Sequence, residues 1–470
     1  MRKKSFLGRF FEPEYLLGKE KWAGEKCSAN EIYKTLFKVA WPATAETVLV
    51  SMMSFVDTVM VSTIGAYAVA ATGLSNQPRM LFFAVFFALN AGVTAIVSRR
   101  RGQDDRRGAN RCLAQAFTLC LVLSILLCGI AVAVARPMLI FTGAADDTVE
   151  AGVEYFRITI VGMAFVSLGM VINAAQRGVG NTKISMRTNL TANVVNVVFN
   201  YLLINGIGFF PRLEVKGAAI ATLMGNVVSF SMSLYSVTRT HGFLHIEWRD
   251  LLVFDKENLR LLFKISSSAA TEQLFIRIGF FAYTKIVASL GTVAFATHQI
   301  CMTIINFSFS LGEGLGISAA SLVGQSLGRK RPDVAVIYGR AAQRVGLLVS
   351  FALVLLFSFA GRPLMMMFTR EEEIVLMGIQ LLYITAAVSP AQVTQLIFSG
   401  SLRGAGDTKY VAYTSLISIG LVRPLTTYIL CYPLGLGLIG GWISLLIDQY
   451  MRTVFATVRF SKGKWTKIKI

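Results

Sequence analysis

Apolar runs separated by short polar, basic or glycine-bearing segments recur along the whole chain. The runs are long enough to cross a bilayer as helices. The pattern predicts twelve spans, at 36–64, 70–97, 112–135, 151–176, 185–205, 216–238, 261–289, 295–323, 341–360, 374–400, 410–431 and 438–459. The first 30 residues differ. Phe6, Leu7, Phe10, Phe11, Leu16, Leu17 and Trp22 stand among Lys and Arg. The 6/7/10/11 spacing predicts a helix lying on the inner leaflet, with a disordered basic tail as the alternative. No continuous apolar core of a cleavable signal is present there, so the first span is expected to act as the insertion signal.

The pattern repeats. A shift of 226 residues places Leu36-Phe37-Lys38 on Leu262-Phe263-Lys264, Glu46 on Glu272, Thr58 on Thr284 and Gly65 on Gly291, nine identities in 30 ungapped positions. The same shift places Arg177-Gly-Val-Gly-Asn-Thr-Lys183 on Arg403-Gly-Ala-Gly-Asp-Thr-Lys409. Only near the last hairpin is a gap of about three needed, to bring Gly217 onto Gly440. The expected organisation is a basic N-terminal segment (1–30), a six-helix half (31–240), a polar linker (241–258), a second six-helix half (259–460) and a basic tail (461–470). Six spans per half is an even number, so the halves are parallel repeats, with a central cleft between them and alternating access by rocking.

Composition sharpens the class. The chain is 54% hydrophobic and 15% charged, with a mean hydropathy of +0.59, which fits a polytopic membrane protein. The net charge of +20 would suit nucleic acid, but its distribution does not. Of 46 Lys and Arg, 36 fall at one face of the predicted topology, the face that holds both termini. The positive-inside rule makes that face cytoplasmic, with contact to anionic lipid. The two RGxGxTK segments lack the spacing of a phosphate loop and read as inter-helix turns. Cys27, Cys112, Cys120, Cys128, Cys301 and Cys431 form no metal-ligand pair, and His241 and His245 lack a third ligand.

The candidate chemistry lies in polar residues inside apolar runs. A carboxylate at the bilayer centre costs at least ~2.5–3.5 kcal/mol, which marks an ion or substrate pathway. The first span carries Glu46 and Asp57. Asp57, Asn196, Asn200 and Thr222 match in depth towards the outer side, and Asn196 and Asn200 share a helix face. Together they make a set of oxygen ligands for Na⁺ or a protonatable acid tuned by its neighbours. For the three neutral residues the alternative is hydrogen-bond contacts between helices. The repeat places Tyr283 opposite Asp57, so that acid is not duplicated. In the second half Glu272 matches Arg423 in depth, and Arg277 lies further out on the span of Glu272. An ion pair of Glu272 with Arg423 or Arg277 is expected, either as a structural lock or as a substrate-facing site. Glu46 is a substrate-facing candidate, Pro42 is a candidate helix bend, and Glu313 and Asp448 are unassigned intramembrane acids.

The two six-helix repeats, the WPA…FVDTVMVSTIG first span, the Asn-x-x-x-Asn pair, the LVGQSLGRKRP segment and the RGxGDTK turn together resemble the multidrug and toxic compound extrusion (MATE) family over about 31–460. The resemblance implies an all-α polytopic fold of twelve transmembrane helices in two V-shaped lobes. It implies secondary antiport, in which H⁺ or Na⁺ enters and an amphipathic, often cationic compound leaves. Asp57, Asn196, Asn200 and Thr222 match the family's cation-site positions, and Pro42 its bending proline. Where some members carry a second aspartate this chain has Asn200. Where sodium-coupled members carry acids in the second lobe it has Ile276 and Gln392, which favours coupling in the first lobe. The expected protein is therefore a monomeric plasma-membrane exporter with a small-molecule substrate and no cofactor. The alternative on the same fold is a flippase or exporter of an anionic metabolite or lipid-linked precursor, suggested by Arg277 and Arg423. An enzyme is disfavoured because no nucleophile–base pair, metal motif or nucleotide loop is visible.

Overall fold

The computed structural model describes residues 10–18, 22–141, 146–208, 210–239, 242–246, 249, 251 and 255–468. Phe6 and Leu7 of the expected N-terminal helix, His241, and much of the expected linker lie outside them. The described residues are almost wholly helical and contain no strand. After a short α1 (Pro13–Leu17), the first repeat holds α2 (Ala29–Ser62), α3 (Ala66–Gly102), α4 (Arg106–Ala133), α5 (Ala135–Phe141), α6 (Asp146–Gly178), α7 (Thr182–Asn205) and α8 (Glu214–Thr238). The second holds α9 (Lys256–Ala288), α10 (Thr292–Gly328), α11 (Pro332–Phe359), α12 (Gly361–Met366), α13 (Glu372–Gly404), α14 (Thr408–Ser415), α15 (Arg423–Cys431) and α16 (Gly437–Ser461). A π-helical stretch, Leu416–Val422, joins α14 to α15, so the two form one span.

This is the expected all-α fold of twelve long helices in two six-helix repeats. Among the described residues, nine of them are long and apolar enough to cross a membrane. The other three, α7, α9 and α16, are as long but more polar, and they carry Asn196 and Asn200, Glu272 and Arg277, and Asp448 and Arg452.

The backbone repeats as the sequence does. Gly65 and Gly291 both take positive φ (142° and 110°), as do Gly180 and Gly406 (84° and 86°). Even the non-glycine residues Asp104 and Lys330, 226 apart, share a left-handed turn (φ 54° and 59°). The short helices α5 and α12, which hydropathy did not reveal, begin 226 residues apart as well, at Ala135 and Gly361.

The chain divides into two compact units, 1–47 with 267–470, and 48–266. Both boundaries fall inside helices, in α2 and in α9. Unit 1 is held by close backbone approach of α10 and α13. A Cβ on Gly400 would lie 2.3 Å from the Gly316 carbonyl oxygen, and one on Gly404 would lie 2.1 Å from that of Ala320. Small residues four apart let helix backbones meet where lipid provides no hydrophobic drive. The first part of α2 joins this unit, where Thr47 Oγ1 donates to the Ser310 carbonyl at 2.7 Å.

The N-terminal segment is bound to protein. Leu16 and Leu17 are buried and cluster with Ile337, Ala341 and Ala342 of α11. Arg340 donates to the Leu16 carbonyl at 2.6 Å, and the Arg344 guanidinium lies 3.6 Å over the Phe10 ring. The Ala23 N–H donates to Asp333 at 3.2 Å, and Arg331 donates to the Glu25 carbonyl at 2.7 Å. The 6/7/10/11 face assigned to lipid is thus, at Phe10, turned towards α11. The basic tail is tied down too. Trp465 is fully buried, stacks on Phe460 at 4.8 Å and donates from Nε1 to the Phe460 carbonyl at 2.8 Å.

Candidate functional site

Asp57 lies on the second part of α2, in unit 2. Helices α7 and α8 pack closely beside it because Gly225 has no side chain. A Cβ there would lie 2.7 Å from the Ala192 carbonyl oxygen. This approach brings Thr222 to Asn196. Asn196 and Asn200, one turn apart on α7, face the same way, and Asn200 is fully buried. Asn200 Nδ2 donates to Asp57 Oδ1 and, at 3.3 Å, to Asn196 Oδ1. Asn196 Nδ2 donates to Thr222 Oγ1 at 3.2 Å, and Thr222 donates to the Ala218 carbonyl at 3.0 Å. The four residues chosen from depth alone therefore form one continuous hydrogen-bonded chain ending on a carboxylate.

The chain borders a cavity of about 290 Å³. Asp57, Asn196 and Thr222 line it, with Asn76 and Arg79 of α3 and Tyr155 of α6. Sequence reasoning assigned no role to these last three. Arg79 was legible, because it is a charge inside an apolar run whose repeat position, Ile305, is neutral. That same asymmetry singled out Asp57. Arg79 Nη2 donates to Asn76 Oδ1 at 2.5 Å. The guanidinium also lies within electrostatic reach of both Asp57 and Tyr155.

Unit 1 carries a different network, and here an expectation is corrected. The ion pair of Glu272 is made by Arg403, at 2.5 Å, and neither Arg277 nor Arg423 makes it. Arg403 belongs to the RGAGDTK turn, but it sits in the last turn of α13. Helical side chains lean towards the N-terminus of their helix, so this guanidinium is carried back into the bundle. Arg423 pairs with Asp448, which Arg452 also contacts at 3.3 Å. Arg423 and Asp448 are fully buried, and Glu272 is 2% exposed. Arg452 lies within electrostatic reach of Arg423, Asp448, Glu272 and Arg403, so three guanidiniums and two buried carboxylates form one cluster, and Glu313 lies within electrostatic reach of Arg403 at its edge. Arg423 also lies 4.7 Å over the Phe280 ring and 5.7 Å from that of Tyr283, the residue at the repeat position of Asp57.

The remaining candidates are placed as follows. Glu46 is buried in unit 1. Pro42 lies well inside α2, which runs through it unbroken. Arg277 is half-buried on α9, and Glu313 is exposed on α10. Gln392 is fully buried with neither amide atom hydrogen-bonded. Among the described residues no group of three His, Cys, Asp or Glu could hold a metal ion.

A family model described as MatE matches residues 42–202 and again 269–429, once in each repeat. The chain belongs to the MATE family. Among MATE-like relatives it is 28% identical over 435 residues to the uncharacterized transporter YisQ of Bacillus subtilis, covering 92% of this chain and 94% of that one. It is 25% identical over 440 residues to a probable multidrug resistance protein NorM of Thermotoga maritima, covering 93% and 94%. A multidrug resistance MATE transporter of the MOP superfamily, solved in an outward-facing conformation, superimposes with a TM-score of 0.85 at 21% identity, over 92% of this chain and 97% of that one. The MATE fold explains the two-repeat architecture, and it makes the chain a multi-pass membrane transporter.

Proposed function

We propose that this MATE transporter is a secondary antiporter that exports amphipathic organic cations in exchange for H⁺ or Na⁺. Asp57 is the coupling acid, and Asn196, Asn200 and Thr222 tune or ligate it. The reading places the protein in the plasma membrane as a monomer with both termini in the cytoplasm, as the positive-inside distribution suggests. One observation carries it: a carboxylate at a cavity of about 290 Å³, joined by hydrogen bonds to two amides and a hydroxyl. A group that exchanges an ion needs access and a supporting shell, and an acid serving only as a helix contact needs no cavity. The test is dye efflux from everted vesicles under separately imposed pH and Na⁺ gradients. Transport is expected to follow one of them, and Asp57→Asn is expected to abolish the coupling. Coupled transport that survives in Asp57→Asn would refute the assignment.

The buried cluster of unit 1 favours a second reading. Three guanidiniums gathered around the buried Glu272 and Asp448, with the exposed Glu313 at the edge beside Arg403, concentrate cationic groups that suit an anionic metabolite or lipid-linked precursor as cargo. Competition of anionic against cationic dyes separates the two.

A further inference from the structure

The cavity at Asp57 already contains a cation. Arg79 lines it together with Asp57, from a different helix, and lies within electrostatic reach of the carboxylate. It also engages the oxygen of Asn76, one of the neutral ligands that the cavity offers. Its Nε is buried with no hydrogen-bond partner, so the guanidinium keeps a donor in reserve. Three of the neighbouring oxygens already accept a hydrogen bond, while Asn200 Oδ1 is buried without a partner. Asp57 Oδ1 accepts from Asn200, Asn196 Oδ1 also accepts from Asn200, and Thr222 Oγ1 accepts from Asn196. An amide proton of Asn200 thus points at the carboxylate, with the Arg79 guanidinium within electrostatic reach of it. That arrangement stabilises the negative charge without any bound metal ion.

A sodium ion and a proton meet such a site differently. Sodium needs several oxygen lone pairs turned towards one point, and it would have to settle beside a fixed positive charge. A proton needs one carboxylate oxygen and no ligand shell. We propose that Arg79 is a tethered counter-cation that holds the place a sodium ion would take, so that a proton alone discharges Asp57 during the transport cycle. On protonation Asp57 no longer attracts the guanidinium, which remains with Asn76. The charged and titratable groups lining the cavity around Asp57 are Arg79 from α3 and Tyr155 from α6. Helices α7 and α8 present the neutral Asn196, Thr222 and Asn226. This proposal rests on Asp57 being the coupling acid.

The experiment reconstitutes the full-length protein in vesicles and follows efflux of a cationic dye. The gradient is either pH at zero Na⁺ or Na⁺ at clamped pH. Wild type is expected to respond to the pH gradient alone. In Arg79→Gln the pH midpoint of transport is expected to move upward by about one to three units, the range over which a neighbouring cation acts on a carboxylate. The same variant is expected to gain a response to the Na⁺ gradient. Arg79→Lys keeps the charge and is expected to remain sodium-independent, with a midpoint near wild type. Sodium-driven transport by wild type at clamped pH would overturn the proposal, and so would an Arg79→Gln variant with unchanged midpoint and no sodium response. The wild-type measurement stands even where a variant does not fold. Transport by wild type that follows neither gradient removes the antiport reading itself, and this proposal with it.

Discussion

Asp448→Asn tests the buried network of unit 1. The native cluster balances Arg403, Arg423 and Arg452 against Glu272 and Asp448. The substitution is nearly isosteric and leaves three guanidiniums against one buried carboxylate, Glu272, and Glu313 at the cluster's edge. At the 3.3 Å separation of Arg452 and Asp448, an effective dielectric of about 20 gives roughly 5 kcal/mol of attraction, and Arg423 adds a closer contact. Removing the charge of Asp448 also removes the desolvation cost of that carboxylate, so the net loss expected for breaking a buried pair is about 3–5 kcal/mol. For units of this size that corresponds to a fall in Tm of roughly 6–20 °C. The double variant Asp448→Asn/Arg423→Met withdraws one charge of each sign and is expected to regain at least half the loss. The assay is thermal unfolding in detergent, followed by reaction of a thiol-specific dye with the buried cysteines. A single variant within 2 °C of wild type, or a double variant whose losses simply add, would refute the view that these charges support one another.

Other outcomes follow from packing. Gly404→Ala puts a methyl group 2.1 Å from the Ala320 carbonyl oxygen and is expected to cost at least about 1–3 kcal/mol. Gly129→Ala meets nothing within 4 Å on an exposed helix face and is expected to stabilise by up to about 1 kcal/mol, so the two melts should shift in opposite directions. Trp465→Ala removes a fully buried ring from its stack on Phe460 and is expected to cost about 3–5 kcal/mol, again read as Tm. Asp333→Ala removes the acceptor of the Ala23 N–H and the ion-pair partner of Arg331, and limited proteolysis should then cut within residues 10–26 faster than in wild type. Burial, with Glu31 adding to it, pushes the Cys27 thiol up, so maleimide labelling at Cys27 should still be accelerating with pH beyond the ordinary thiol range.

Much of this was legible in the sequence because lipid makes polar residues conspicuous. A long apolar run predicts a helix with little ambiguity, and a charge inside one must have a reason. Asp57, Asn196, Asn200 and Thr222 were found by comparing depths, since residues at one level on neighbouring helices can meet. Depth along a helix is a poor guide for arginine, whose side chain reaches a turn or more from its own backbone. That is why Glu272 was matched to Arg423 and found with Arg403. Asp448 had no assignment because its partner, Arg423, had been given to another acid. The π-helical stretch before Arg423 and the short helices α5 and α12 left no trace in hydropathy. The latter appear only once the 226-residue register is read through the polar Arg136-Pro137 and Arg362-Pro363 pairs.

The docking of the N-terminal segment has a consequence for counting. Ala23 and Glu25 are hydrogen-bonded to Asp333 and Arg331, at the start of α11. Between these partners the chain runs through eight long helices: α2, α3, α4, α6, α7, α8, α9 and α10. In a bilayer the two ends of such a run can touch only if the number of crossings is even. Four more long spans lead to Trp465, which clusters with Leu327 and Val336 beside that same turn. The hydrogen bonds at Ala23 and the ring at Trp465 therefore act as a parity check on membrane insertion. A chain that skips or gains a single crossing forfeits the contact that closes the affected run, the hydrogen bonds at Ala23 for the first eight helices and the packing of Trp465 for the last four.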